Sequence, residues 1–195
     1  MTTISKTAQV LNFFAMQYGP PGIPRKRLVK LAYMADVIAR QCLGHPITDL
    51  VYIKDHFGPN ARELGDFAEE LAQAEIAEQV TERQGEIRYI RLRAGGRPVL
   101  FDFTLGETKV LWYVVANYLS MEIDEFIDLV VKETDPVRAV ERLGDTLPME
   151  RLDNTVRNTV GFDLEKIAKA ELQMERGEFV TLAQLANELR NQASA

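Results

Sequence analysis

Hydrophobic and polar residues alternate along most of this chain with the spacing of amphipathic helices. The clearest case follows Pro24, where apolar positions recur three, four or seven residues apart and predict a helix with one buried face. Gly44 after this stripe and Pro46 beyond it are typical of a helix C-terminus. The apolar positions of the stripe are Leu28, Leu31, Ala32, Ala35, Ala39 and Cys42.

Similar spacing predicts further helices on both sides of this one. Ser5 is suited to cap a first helix that ends at the Gly-Pro-Pro-Gly run of residues 19–22. Thr104 and Glu107 have the spacing of a capping box at the start of another helix. Further apolar stripes are found at residues 64–71, 111–118 and 123–130, and after Pro148 at 149–160, 164–172 and 181–189. Asp135-Pro136 predicts the start of a short helix that ends near Gly144.

Three short segments have the alternation that is typical of strands. They are residues 50–53, 86–93 and 99–103, and the Ala-Gly-Gly-Arg sequence at 94–97 indicates a hairpin between the last two. Together they predict a small antiparallel sheet. The predicted fold class is therefore α+β and predominantly α-helical.

The turn at residues 144–148 is the best candidate for a domain boundary, because helices and strands mix before it and only helical patterns follow it. We expect a domain over residues 1–144 and a C-terminal helical extension over residues 145–195. The extension ends in an amphipathic pattern whose apolar positions are Leu182, Leu185 and Leu189. These leucines suit a partner's groove or the protein's own core, and packing on the domain is the simpler interpretation.

Composition narrows the classes of function. The 195 residues carry a net charge of −6, which argues against binding DNA over a wide surface and favours a basic partner. The single cysteine, Cys42, excludes an internal disulfide and favours a reducing cytoplasm. No apolar run approaches the ~20 residues that span a bilayer, and the N-terminus lacks the pattern of a signal peptide.

The chain lacks the residue patterns of common catalytic and cofactor sites. Cys42, His45 and His56 are too few for a zinc site and lack the usual ligand spacing. Glycines fall only in turns, without the spacing of a phosphate-binding loop. We therefore expect no metal, no cofactor and no catalytic residue. A run of acidic residues is predicted to be the solvated face of a helix: Glu69, Glu70, Glu75 and Glu78.

Asp36 is the residue whose surroundings matter most. It lies at the edge of the apolar stripe, where a half-buried carboxylate needs a partner. Arg40, four residues later on the same helix, is the expected partner in a structural ion pair. Contact with a ligand is the alternative.

Residues 25–59 carry a resemblance to a known family. The matching residues are Lys30-Leu31-x-Tyr33-x-x-Asp36, then Gly44-x-Pro46-Ile47-Thr48, Tyr52 and Gly58-Pro59. In order and spacing they resemble the Panacea domain of SocA-like antitoxins. A looser similarity extends the resemblance over residues 5 to 140. Many members also carry a histidine in the segment that corresponds to residues 125–136, where this chain has none.

The resemblance implies an antitoxin of a bacterial or prophage toxin–antitoxin pair, which binds and neutralises a protein toxin encoded next to it. One branch of the family acts instead as an adaptor that delivers its toxin to a Clp-type protease. By the resemblance, the signature positions contact the partner or hold the fold: they are Lys30, Tyr33, Asp36, Tyr52, Gly58 and Pro59.

Two further interpretations stay open. An enzyme could act near Asp36, Tyr52 and His56, although no recognised catalytic motif surrounds them. Pairing of C-terminal helices could produce a homo-oligomer. Direct DNA binding is disfavoured by the acidic charge, and the leading hypothesis is a non-enzymatic antitoxin that acts by protein–protein contact.

Overall fold

The computed structural model of this protein describes residues 4–84, 87–95 and 99–150. Within them the predicted fold class is confirmed, because helices predominate around small antiparallel sheets. The predicted helices beyond residue 150, including Leu182, Leu185 and Leu189, lie outside the described residues, and the division at residue 144 stays a prediction.

The helices are α1 (Lys6–Tyr18), α2 (Arg25–Leu43), α3 (Leu64–Gln73), α4 (Leu105–Tyr118), α5 (Ile123–Phe126), a π-helical turn (Ile127–Val131) and α6 (Asp135–Arg138). The strands are β1 (Ile23–Pro24), β2 (Ile53–Asp55), β3 (Gly58–Asn60), β4 (Ala77–Gln84) and β5 (Ile87–Ala94).

Helix α2 is the centre of the fold. Every residue from Leu28 to Ala39 is buried, so the helix is enclosed on all sides and not only along its predicted stripe. Helices α1 and α4 and the strands β1, β3 and β5 pack around it. Gly44 ends the helix in the left-handed conformation, with φ of 81°, as the sequence predicts.

The N-terminus of α2 carries arginines that hold neighbouring elements. Arg25 donates to the carbonyl of Ala61 at 3.0 Å, just before α3. Arg27 donates to the carbonyls of Leu119 at 3.0 Å and Met121 at 2.7 Å, beyond the end of α4. Positive charge is unfavourable at a helix N-terminus, but the charge of Arg27 meets the negative C-terminal end of α4. These bonds fix the positions of α3 and α4 against α2.

The main sheet has the strand order β1–β5–β4, with both pairs antiparallel. Strand β5 matches the strand predicted over residues 86–93, but its hairpin partner is β4, which the sequence analysis missed. The prediction that Glu69, Glu70, Glu75 and Glu78 share one helix face is therefore wrong for Glu75 and Glu78. Helix α3 ends at Gln73, and Glu78 lies on β4, where its carboxylate pairs with Arg93 of β5 at 2.6 Å. Polar residues dominate β4, so its pattern lacked the apolar alternation of a half-buried strand.

The predicted strand at residues 99–103 is also wrong. Phe101 and Phe103 stack with ring centroids 5.2 Å apart. Both rings meet Phe13 of α1 edge-on, at 6.0 and 6.3 Å. The alternation of aromatic residues therefore serves packing against α1 and not a hydrogen-bonded ladder.

A second small sheet lies beside α2. The strand predicted over residues 50–53 overlaps β2 only at Ile53, and β2 pairs with β3 instead of joining β5 in one sheet as predicted. Residues 144–147, predicted as a boundary turn, run along the other edge of β2. The backbone N–H groups of Lys54 and Leu147 donate to the carbonyls of Asp145 and Tyr52, at 2.9 and 2.8 Å. This segment thereby covers the free edge of the hairpin.

The predicted starts of helices α1, α4 and α6 are confirmed. Ser5 caps α1, and Thr104 with Glu107 forms the predicted capping box of α4. Helix α6 begins at Asp135 but ends at Arg138, well before Gly144. None of the helices in the described ranges is long and apolar enough to cross a membrane.

Replacing Thr104 by alanine should destabilise the protein by about 1 kcal/mol, because the hydroxyl accepts from the N–H of Glu107 at 3.2 Å. Thermal unfolding should then occur about 2–4 °C lower. The matched control is Thr108→Ala one turn later on the same helix, whose hydroxyl donates to the Thr104 carbonyl that the Thr108 N–H already bonds, and which should therefore cost less. Equal effects of the two substitutions on the melting temperature would contradict the capping role.

Candidate functional site

The carboxylate of Asp36 lies in the middle of α2 and is 1% exposed. Its Oδ1 accepts the backbone N–H groups of Ile47 at 2.8 Å and Thr48 at 2.9 Å. Its Oδ2 accepts the Thr48 hydroxyl and the Tyr52 hydroxyl, the latter at 2.7 Å. The expected pairing with Arg40 is therefore wrong. The partners of Asp36 all come from the loop that follows α2, after the chain has turned back at Gly44.

The loop of residues 44–52 is held at further points. The Thr48 hydroxyl also accepts from the N–H of Leu50 at 3.3 Å. The N–H of Asp49 donates to the hydroxyl of Thr7 in α1, at 2.9 Å. The four backbone N–H groups of residues 47–50 are therefore satisfied by side chains of α1, α2 and the loop itself, which gives this part of the loop one defined conformation.

Tyr33 extends the buried polar network to the other side of α2. Its ring meets the ring of Tyr52 edge-on, with centroids 5.1 Å apart. Its hydroxyl lies 2.7 Å from the hydroxyl of Thr134, which itself donates to the carbonyl of Val131 at 2.7 Å. Since Thr134 has one hydroxyl proton, Tyr33 is the donor in their bond. This bond joins α2 to the end of the π-helical turn.

Lys30 reaches the β2–β3 hairpin. Its Nζ is buried and donates to the carbonyl of Pro59 at 2.6 Å. Burial lowers the pKa of Lys30 to about 8, and the nearby Asp55 opposes this shift. Gly58 next to Pro59 has φ of 80°, a conformation that favours glycine. Gly58 therefore sets the shape of the hairpin, and the bond between Lys30 and Pro59 sets its place.

Burial also dominates the titration of the Asp36 network. It raises the pKa of Asp36 to about 6, although the hydrogen bonds from Thr48, Tyr52 and Ile47 act in the opposite direction. The pKa of Tyr52 is raised well above its usual value, first by burial and then by the charge of Asp36. Tyr52 is therefore a neutral donor to Asp36 at physiological pH.

The residues named for the enzyme hypothesis are only partly brought together. Asp36 and Tyr52 are in contact, while His56 lies exposed at the turn between β2 and β3. Cys42 is half-buried and not fully buried as expected. Within the described part of the chain, no group of three or more histidines, cysteines or carboxylates could hold a metal ion.

The structure adds residues that the sequence analysis did not single out. Thr48 stood in the quoted motif only as a match, and nothing in the sequence marked Thr134 as the partner of Tyr33. Phe57, at the turn of the hairpin, is 61% exposed. The Nζ of Lys26 lies 4.7 Å from the centroid of its ring and 2.8 Å from a carboxylate oxygen of Asp124. Local apolar patterns cannot reveal an exposed aromatic of this kind, because they identify buried faces.

A comparison with family models matches residues 28–136 to the model described as "Antitoxin SocA-like, Panacea domain". This match covers more than half of the chain. The protein belongs to the SocA-like antitoxin family. No curated protein and no solved structure matches the chain.

Membership in this family indicates a role in a toxin–antitoxin pair. The matched range contains all six signature positions and every element from α2 to the start of α6. It starts within α2, so α1 lies outside it. The family assignment therefore rests on the part of the chain that forms the buried network and the hairpin.

The pH dependence of stability tests the buried state of Asp36. Because the native pKa lies near 6 and the usual value is 3.8, the native state holds the proton more tightly between these values. Unfolding therefore releases protons in this pH range. The free energy of unfolding then falls as pH rises from about 4 to 6, on the order of 1–3 kcal/mol. Asp36→Asn should remove this part of the slope, because an amide does not titrate in this range. The variant should still fold, since its amide oxygen can accept the two N–H groups.

Urea unfolding at pH 4, 5, 6 and 7 measures this slope. The matched control is Asp49→Asn, which removes an exposed carboxylate from the same loop and should keep the wild-type slope. If Asp36→Asn and the wild type lost stability equally over this range, Asp36 would not be the titrating group.

Proposed function

We propose that this protein neutralises a cognate protein toxin by direct, non-enzymatic contact. Its membership in an antitoxin family supports the role. The observation that carries the mechanism is that the six signature positions are buried around α2 and hydrogen-bonded or packed there. In this proposal they position a contact surface and do not form it.

The geometry of Asp36 argues against a catalytic carboxylate. A general base must come within hydrogen-bond distance of a substrate proton. Both oxygens of Asp36 already accept two hydrogen bonds each, and the side chain is enclosed by α2 and its loop. Tyr52 is committed to the same network. Both residues therefore fit a structural role, which supports the non-enzymatic proposal.

The proposed contact surface includes the turn of the β2–β3 hairpin. Lys30 fixes Pro59, and Gly58 gives the turn its shape. Phe57 between the strands is held out to solvent above Lys26. Large exposed aromatics are typical anchors of protein–protein interfaces, where they fill a pocket of the partner. The signature residues thus present Phe57 at a fixed place.

The size and charge of such an interface suit tight binding. A standard interface of ~1,600 Å² in total would cover a toxin's active site. The net charge of −6 would speed the encounter with a basic toxin. Delivery of the toxin to a Clp-type protease, the adaptor alternative, would need the same contact but would leave no stable complex.

Co-expression with the neighbouring reading frame tests the proposal. The neighbour is induced with and without this protein, growth is followed, and a tag on this protein is used to isolate the complex. We expect growth arrest by the neighbour, rescue by this protein and a stable complex of the two chains. Rescue with a shortened toxin half-life and no complex would instead support the adaptor.

Two substitutions make the test specific. Phe57→Ser should weaken the complex at least tenfold and reduce rescue, because it removes the proposed anchor. Leu100→Ser is its control, since Leu100 is 87% exposed on the segment that packs against α1. Both variants should keep the wild-type far-UV CD spectrum.

The variant Asp36→Asn separates positioning from catalysis. It keeps a polar group of the same shape, so we expect a folded protein that still binds and rescues. A folded Asp36→Asn variant that bound the toxin but failed to rescue growth would favour the enzyme hypothesis.

A further inference from the structure

The outer side of α5 and the π-helical turn exposes an apolar residue among carboxylates. Leu129 is 59% exposed, and Asp128 precedes it. Glu125, four residues before it in α5, and Glu133, two residues after the end of the π-helical turn, are also exposed. We call Glu125, Asp128, Leu129 and Glu133 together the acidic face.

The sequence of this region is strongly acidic. Residues 122–135 contain six carboxylates and one lysine, a net charge of −5 out of −6 for the whole chain. Asp124 pairs with Lys26 at 2.8 Å, Asp128 with Lys132 at 2.6 Å, and Glu133 with Arg138. Counting Lys26 and Arg138 from outside the segment reduces −5 to −3, so the region keeps a net negative charge, although such exposed pairs contribute little energy.

The inner side of the same segment is firmly held. Phe126 is buried and stacks on Tyr118 of α4 with ring centroids 5.1 Å apart. Ile127 and Val131 are buried, and a Cβ built at Gly58 of the hairpin would lie 3.4 Å from Val131. The acidic face is therefore presented on a fixed support. Asp124, which precedes Glu125 of the acidic face, links this region to Phe57, because Lys26 contacts both the Phe57 ring and Asp124.

We propose that the acidic face docks a basic protein surface, with Leu129 inserted in an apolar recess that lysines or arginines surround. This inference rests on the proposed function, and the partner is the toxin of that proposal. An apolar centre within a charged rim is the usual anatomy of an interface. Charge complementarity selects a basic partner and steers its approach. Together with Phe57, the acidic face forms one continuous docking surface on the support that α2 holds.

Binding kinetics with the purified product of the neighbouring reading frame test this surface. The affinity and association rate are measured at 50 and 300 mM salt for the wild type, Leu129→Ser and Glu125→Lys. Leu129→Ser should raise the Kd at least tenfold, mainly through faster dissociation. Glu125→Lys should slow association and make it less dependent on salt.

The controls are Leu100→Ser for the exposed leucine and Glu69→Lys for charge reversal on α3, and both should bind as the wild type does. All variants should keep the wild-type melting temperature within about 2 °C, as surface substitutions usually do. If the wild type bound the toxin and both acidic-face variants bound equally well, the docking surface would be refuted and the proposed function would stand. If the wild type did not bind the toxin, both would fall.

Discussion

One buried carboxylate determines how the chain is arranged around its central helix. Asp36 would be costly inside the protein without partners, since an unpaired buried charge destabilises the folded state by several kcal/mol. Four hydrogen bonds, all from Ile47, Thr48 and Tyr52, offset that cost. The loop after α2 therefore has to close onto the helix, and it leads directly into β2.

The spacing of the signature residues on α2 explains how one helix supports a whole surface. Lys30, Tyr33 and Asp36 follow one another at intervals of three residues, so they lie on successive turns of the helix. Each reaches a different element: Lys30 binds β3, Tyr33 binds Thr134 just before α6, and Asp36 binds the loop before β2. These contacts join the hairpin and the acidic face to the same support.

Local sequence signals predicted the helices better than the contacts between them. Capping residues such as Ser5 and Thr104, and Gly44 at the end of α2, act within one turn of the chain and were correctly placed. Strand β4 was missed, since a polar strand at a sheet edge has no apolar alternation to reveal it. The partner of Asp36 was wrong for a similar reason: the rule that favoured Arg40 considers only one helix, whereas the true donors come from the returning loop. The signature positions came from the resemblance, and their burial emerged only from the fold.

The Asp36 network should be formed before any partner binds, and the proposed toxin should contact only the surface that the network supports. Hydrogen exchange at single amides, followed on the free protein and on its complex with the product of the neighbouring reading frame, distinguishes a preformed network from one that binding creates. We expect the amides of Ile47 and Thr48 to be strongly protected already in the free protein. New protection on binding should then appear around Phe57 and Leu129. Fast exchange of Ile47 and Thr48 in the free protein, slowed only in the complex, would mean that the network is a product of binding and not its support.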